Sequence, residues 1–396
     1  MHEASVLVVN AGSSSLKVKL FPAGDAVLVE RIGGDSNLVA SFAAARSVQV
    51  ARHDEALRLV LDVLEDRLPP GGIRAVGHRV VHGGMRFTRP VLIDGAVERI
   101  VDELSILAPL HNPANLEGIR AARSLLAGVP HVAVFDTAFH AGMPARAFLF
   151  GLPIELYRGR RIRRYGFHGT SHDFVSERAA ALLGRPRDGL KIVSLHLGNG
   201  ASAAAVAGGR SIDTSMGFTP LDGLLMGTRC GELDPGVLLH LMRGGMDVDR
   251  VDRLLNRESG LLGLSGVSND MRDVRAAAEG GNEDARGALE VFAYRIRKTV
   301  GAYAAAMGGL DAVVFTGGIG EHDARIREES MAGLGFLGVR LDDRRNAVHE
   351  ERISTDDASV AVLVVPTDEE RMIARATAEL AGLGQPGDDA VREETT

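Results

Sequence analysis

The sequence predicts an α/β protein of two domains, on three observations. Its 396 residues exceed one ordinary domain of about 100 to 200 residues. Apolar, strand-like runs that end in glycine turns alternate with helical segments. Two stretches also echo each other, VLVVNAGSSSLKVKL near the start and SLHLGNGASAAAV at 194–206, each an apolar run, a small-residue turn and a second run. Two halves that each open with a phosphate-sized turn suit a duplicated fold gripping a nucleotide between them.

In order along the chain, Val6 to Val9 reads as a strand that turns at Asn10–Ser15 and returns with Leu16, Val18 and Leu20 alternating with Lys17 and Lys19. His53 to Leu68 sets Leu57, Leu61, Leu64 and Leu68 on one helical face, and Pro69-Pro70-Gly71-Gly72 stops it. Ala75 to Val81 is a buried strand. Val132 to Phe135 leads into Asp136, and Ile192 to Leu197 leads into Gly198-Asn199-Gly200. Polar residues thus recur at strand ends, where open α/β sheets bind ligands. A helix runs from about Glu283 to Met307 with Leu289, Phe292, Ile296, Val300 and Tyr303 on its apolar side. The strand Ala312 to Phe315 follows, then a turn at Gly317–Gly320, and the strand Val360 to Val365 ends in Pro366-Thr367-Asp368-Glu369-Glu370. After Gly382 the chain is polar, and a frayed tail is expected.

Composition excludes several classes. The 48 glycines, about 12% against a usual ~7%, follow no Gly-X-Y period. A net charge of −7 disfavours a general nucleic-acid or anionic-membrane binder, so the expectation is no nucleic acid and no membrane partner. A single cysteine, Cys230, and the lack of a basic leader followed by a long apolar stretch point to the cytoplasm.

Each motif has a chemical and a bland reading. The Asn10–Lys17 turn offers backbone N–H groups, three hydroxyls and an ammonium suited to phosphate, but it also reads as a hairpin with solvated serines. It lacks the Walker A spacing. Gly198–Ala203 matches GxGxxA, yet too few residues separate it from Gly208-Gly209 for a βαβ helix, so a phosphate-contacting hairpin fits better. His78/His82 and His168/His172 are four apart, as zinc ligands on a helix can be; glycines and strand formers around them argue against helices, HExxH is absent, and His82 and His172 read better as hydrogen-bonded turn histidines. Arg79 and Arg229 lie among glycines, where a guanidinium can approach a carboxylate or phosphate, although with 41 arginines a surface ion pair is the commoner fate. The basic stretch Arg158–Arg164 reads as a solvated loop, and Cys230 as a small packing residue.

Together GHRVVHGG, LAPLHNPANLEGI, VAVFDTAFHAGMP, RRYGFHGTSH, HLGNGAS, DTSMGFTPLDGLLMGTRCGELDP, SGVSNDMRD, VVFTGGIGEH and PTDEERMIAR, with the opening VLVVNAGSSSLKVKL, resemble the acetate kinase family, of the acetate and sugar kinase, heat-shock-protein and actin superfamily. The resemblance runs from residue 5 to about 375. It implies two related actin-like (ribonuclease H-like) domains with mixed sheets flanked by helices and the nucleotide in the cleft between them, 1–138 plus about 371–396 and 139–370, the latter carrying the dimer interface of a homodimer. It implies ATP- and Mg²⁺-dependent, reversible phosphorylation of acetate to acetyl phosphate, with Mn²⁺ as an alternative ion. Carried over by motif, Arg79, Asp136, His168 and Arg229 are catalytic. Lys17, His196, Leu197, Gly198, Asn199, Gly200, Asp270, Met271, Arg272, Gly318, Ile319, Gly320, Glu321 and His322 meet the nucleotide. Arg79, Val81, Leu110, Phe167 and Pro220 form the acyl pocket, and Asn10 and Glu369 the metal site. Two departures stand out: His322 replaces the family's usual Asn, and Glu232 stands where a small residue is common.

The physics agrees. In-line phosphoryl transfer asks for positioning and charge neutralisation. Acetate resembles a Glu side chain of pKa about 4.3 and has no proton to lose at pH 7, so Asp136 is expected to orient Arg79 or a metal-bound water rather than act as a base. The alternatives are a propionate or other short-chain acid kinase, a non-catalytic actin-like ATP-binding scaffold and, more distantly, a zinc hydrolase.

Overall fold

A continuous apolar run in the first strand buries both of its faces, and the first half of the molecule is built outward from it. The computed structural model describes residues 5–384. Strand β1 (Val6–Gly12) pairs antiparallel with β2 (Ser15–Phe21), turning at Ser13-Ser14 as expected. Leu7 and Val9 of β1 pack with Leu16, Val18, Leu57 and Val60, whereas Val6 and Val8 pack with Val132, Ile373 and Ala378. Then follow β3 (Ala26–Glu30), β4 (Ser36–Ala40), β5 (Ala43–Val48), β6 (Ala75–Val80), β7 (Val91–Leu92) and β8 (His131–Phe135). The sheet order is β5-β4-β3-β2-β1-β6-β8-β7, with β1, β6 and β8 parallel. The helix Asn112–Leu125 packs on β1 and β6, and the helix His53–Leu64 packs on it in turn.

The opposite face is covered by the helix Glu369–Leu380, which lies on β1, β6 and β8. Gly77 of β6 permits the approach, because a Cβ there would strike Ile373 and Thr377. The chain accordingly forms two compact units, Met1–Ala138 with Asp368–Thr396, and Phe139–Thr367. In this division the return segment starts at Asp368. The frayed tail expected after Gly382 falls mostly on 385–396, outside the described residues.

The second unit uses the same scheme in five strands, β9 (Lys191–Leu197), β10 (Ala201–Ala207), β11 (Arg210–Thr214), β12 (Ala312–Thr316) and β13 (Ala361–Val364). Their order is β11-β10-β9-β12-β13. An antiparallel meander precedes two parallel strands on the far side of its first strand, as β3-β2-β1-β6-β8 does in the first unit. The helix Glu283–Met307 covers β9 and β10, and Gly169–Leu182 covers β9 and β12. The GxGxxA stretch is the β9–β10 hairpin, not a βαβ unit. Among the described residues no helix is long and apolar enough to cross a membrane.

Three local expectations need correction. Gly317–Gly320 is not a turn but the start of the short helix Gly317–His322, closed by Glu321 Oε1 accepting the Gly317 N–H at 2.8 Å. His172 lies in a helix, not a turn, because His168 takes a left-handed conformation (φ 56°) that reverses the chain and lets the helix begin at Gly169. In the basic stretch Arg158, Arg160 and Arg161 are exposed, but Arg163 is buried with its guanidinium 3.8 Å from the Phe148 ring centroid. Arg164 donates to the carbonyls of Thr214, Ser215 and Met216. Both tie the backbone together.

Buried histidines give the fold a pH dependence. Burial pushes His82 and His140 down to about 4 from an ordinary ~6.5. Such a group binds its proton more readily in the unfolded chain, so its stabilising effect is complete above pH ~6.5 and is lost as pH falls toward ~4. Urea midpoints should decline from pH 7 to 5, and His140→Gln should flatten that slope by about 1 kcal/mol per pH unit. An unchanged slope would show that His140 does not titrate on unfolding.

Candidate active site

In the first unit the site begins at the ends of the parallel strands. Arg79, next to last in β6, is half-buried and places Nε 3.0 Å and Nη2 2.7 Å from the two oxygens of Asp136, which follows β8 and is almost fully buried. Glu369, first residue of the C-terminal helix, lies 3.8 Å from Arg79 Nε. Burial opposes the Arg79 charge, but Asp136, Glu369 and Glu370 outweigh it and hold its pKa above the ordinary value. Burial pushes the Asp136 carboxyl up while Arg79 pulls it down. The two-pronged geometry is that of a guanidinium holding a carboxylate. Asp136 is therefore spoken for by Arg79.

The same helix start meets both lysines of the hairpin, with Glu370 2.5 Å from Lys17 Nζ and Asp368 3.5 Å from Lys19 Nζ. Asn10, half-buried, pairs with Lys17 across β1 and β2. Val81 is buried just past β6, and Leu110 is 48% exposed in the loop before the helix Asn112–Leu125. Two residues that the motif reading passed over fix this strand end. Asn115 accepts the Val81 N–H and donates to the Ala11 carbonyl; Asn112 accepts the His82 N–H and returns a bond to the His82 carbonyl. Their signal was visible as two asparagines three apart in a helix that is otherwise largely apolar on that face.

In the second unit His168, the N-cap of Gly169–Leu182, stacks on His196 of β9 with ring centroids 4.2 Å apart. Its Nδ1 is 2.9 Å from Ser202 Oγ. Arg229 comes to the same place, since a Cβ on Gly200 would lie 2.8 Å from Arg229 Nη2 and 3.5 Å from His168 Cε1. Arg229 Nη1 donates to the Pro220 carbonyl at 2.6 Å, so Pro220 sits beside the guanidinium. Burial lowers the Arg229 pKa, and among the described residues no carboxylate pairs with it. It is a cation suited to an anion from outside the chain. Phe167, adjoining His168, is buried.

The remaining expected residues frame this cluster unevenly. Asn199 is exposed and accepts from Asn269, beside Asp270. Asp270 caps the helix Met271–Glu279 and also grips Arg272 side chain to side chain, which holds its pKa down to about 2. Met271 is buried and contributes packing. Leu197 is likewise buried in the sheet. Gly318, Ile319, Gly320, Glu321 and His322 form the short helix after β12; Glu321 Oε1 also accepts the Thr367 N–H at 3.2 Å. His322 is exposed and lies edge-on to His349 at 6.3 Å. The other departure, Glu232, pairs with Lys298 at 3.1 Å.

A family model described as the acetokinase family matches residues 5–375. A protein named acetate kinase from Caldanaerobacter subterraneus subsp. tengcongensis is 52% identical over 394 residues, covering 95% of this chain and 98% of that protein. The crystal structure of Porphyromonas gingivalis acetate kinase superposes with a TM-score of 0.90 at 44% identity, covering 95% of this chain and 99% of that one. A propionate kinase from Francisella tularensis gives a TM-score of 0.90 at 40% identity, covering 95% and 100%.

The Arg79–Asp136 pair yields a stability prediction. Asp136→Ala removes both close contacts of a half-buried guanidinium, leaving Glu369 at 3.8 Å, and should cost about 3 kcal/mol in chemical denaturation. Arg79→Met combined with Asp136→Ala should recover part of that loss. A double variant no more stable than Asp136→Ala would mean that the stranded charge is not the cause.

Proposed function

The chain belongs to the acetokinase family, and we propose that its residues divide the chemistry of that family as follows. It is a kinase that transfers the γ-phosphoryl group of ATP reversibly to acetate. An acetate oxygen forms a bond to the γ-phosphorus as the bond from that phosphorus to the bridging oxygen breaks, its electron pair leaving with ADP. The observation that carries this reading is the agreement, at about half identity and nearly full length, with a protein named acetate kinase.

In the first unit Arg79 meets the carboxylate, held in place by Asp136. No base is required, because acetate is ionised at neutral pH. In the second unit Arg229 and His168 donate to the oxygens of the transferring phosphoryl, where charge shifts during the reaction. The His196–Gly200 hairpin, Asp270–Arg272 and the Gly318–His322 helix serve the nucleotide, and Lys17 serves a phosphate. Val81, Leu110, Phe167 and Pro220 supply apolar surface for the acyl methyl.

The donor set suits magnesium. Among the described residues no three His, Cys, Asp or Glu side chains come together to hold an ion. What the chain offers is the amide oxygen of Asn10 and the carboxylate of Glu369, and Mg²⁺, which keeps waters and leans on substrate phosphates, accepts so sparse a set. When bound, the ion offsets phosphate charge. Asn10→Ala and Glu369→Ala should each raise the Mg²⁺ concentration for half-maximal rate about tenfold or more. Titrations that match the parent protein would remove both residues from the metal site.

The protein works in the cytoplasm as a homodimer in this reading. Leu233, Val237, Leu239, Met242 and Val248 are exposed and close in sequence, and support apolar contacts from the second unit to a second copy.

Trapping of acyl phosphate by hydroxylamine, with ATP and Mg²⁺, tests the activity directly; acetate should give hydroxamate, and none from any short-chain acid would sink the reading. Arg229→Lys should lose at least about a hundredfold in kcat, since a point charge cannot reproduce a fork. Near-parental turnover would show that charge alone suffices. Val81→Ala should favour propionate over acetate by about 1 kcal/mol in kcat/KM. An unchanged ratio with a lowered Tm would place Val81 in the core instead.

A further inference from the structure

Ser194 lies inside β9 with no exposed surface, and among the described residues its hydroxyl has a single partner, Nδ1 of His172 at 2.8 Å. A buried hydroxyl proton left without an acceptor is costly, so Ser194 donates to that nitrogen. His172, itself wholly buried, therefore carries its proton on Nε2, which lies 2.8 Å from Ser202 Oγ. Ser202 accepts that proton's bond. Its own hydroxyl proton then goes to its remaining partner, Nδ1 of His168 at 2.9 Å.

The reverse direction fails at one end. If His168 donated from Nδ1 to Ser202, Ser202 would donate to His172 Nε2, and His172 Nδ1–H would point at Ser194. The Ser194 proton would then have no acceptor. A doubly protonated His172 meets the same obstacle. Burial and the neighbouring His140 and His196 rings also hold His172 well below its ordinary pKa, which agrees with a neutral ring.

We infer that Ser194, His172 and Ser202 form a one-way hydrogen-bond chain that fixes His168 as the neutral tautomer protonated on Nε2. Ser202 and His172 are positioning residues. Among the groups facing the two rings are His196, stacked on His168 at 4.2 Å, His140, edge-on to His172 at 5.7 Å, and Arg229 beyond Gly200. These are imidazoles and a cation, and none of the three favours an imidazolium at His168. The second nitrogen of a catalytic histidine commonly sets its tautomer in this way, usually through a carboxylate or carbonyl. Here a hydroxyl does so and leaves the ring uncharged. That the Nε2–H serves a phosphoryl oxygen rests on the function proposed above; the tautomer itself does not.

The test uses the full-length protein labelled with nitrogen-15 histidine, without substrates and near neutral pH. Two-bond proton–nitrogen spectra read which ring nitrogens carry protons, and His168→Gln and His172→Gln identify the two rings. Both should be neutral, with Nε2 protonated and Nδ1 bare. A proton on Nδ1 of His168, or a cationic His168, overturns the inference. Ser202→Ala should turn the His168 signals into a tautomer mixture and lower kcat about tenfold, with KM for ATP and acetate held within about twofold. Ser202→Thr, which keeps the hydroxyl, should restore the single tautomer. A His168 spectrum unmoved by Ser202→Ala would equally overturn it. If the spectra are as expected but hydroxylamine traps no acyl phosphate, the proposed function fails and the chain of hydrogen bonds stands.

Discussion

A guanidinium withdrawn from water has to be met by anions, and the first unit is arranged around meeting that of Arg79. Asp136 arrives from the end of a parallel strand, and Glu369 from the first turn of a helix far along the chain. The helix reaches the sheet only because Gly77 has no side chain. A residue with no chemistry of its own thus brings three acids to Lys17, Lys19 and Arg79. With Asp136 committed to both prongs of Arg79, the arginine stays charged and aimed.

The second unit meets its requirement differently. Arg229 has no carboxylate partner among the described residues, and burial works against its charge. It is held by the carbonyl of Pro220 and bordered by His168 and Gly200. One cation is neutralised in advance and tightly oriented; the other is left in want of an anion. Both solutions sit at the ends of strands that follow the same meander-then-parallel order, so the echo between the two small-residue turns reflects a shared scheme of sheet building.

Much of this was legible in the sequence because it depends on local spacing. Alternation gave the hairpin Val6–Phe21, an apolar stripe gave the helix Glu283–Met307, and polar residues at strand ends marked Asp136 and Gly198–Gly200. The motif resemblance singled out Arg79 and Arg229 where glycine-rich context alone left a surface ion pair open, and His168 where spacing alone offered a zinc ligand. What local spacing could not supply were pairings between distant residues. Lys17 with Glu370, and His172 with Ser194 and Ser202, join segments whose proximity is decided by the sheet. The helix at Gly169 was missed because the glycines and strand formers around His168 and His172 read against a helix; a left-handed His168 makes Gly169 a helix start.

The covering of β1 by the last helix also sets an order in time. One face of the first sheet, formed by Val6, Val8, Phe21, Val132 and Val134, is covered by Ile373, Ala374 and Ala378. A ribosome makes those covering residues only after the entire second unit, Phe139–Thr367, has been synthesised. During translation the second unit can complete its sheet from a continuous stretch of chain, while the first holds an apolar face open until Ile373, Ala374 and Ala378 have been made. The half of the molecule made first is the half finished last, and in that interval it is the half with a bare apolar sheet face to shield.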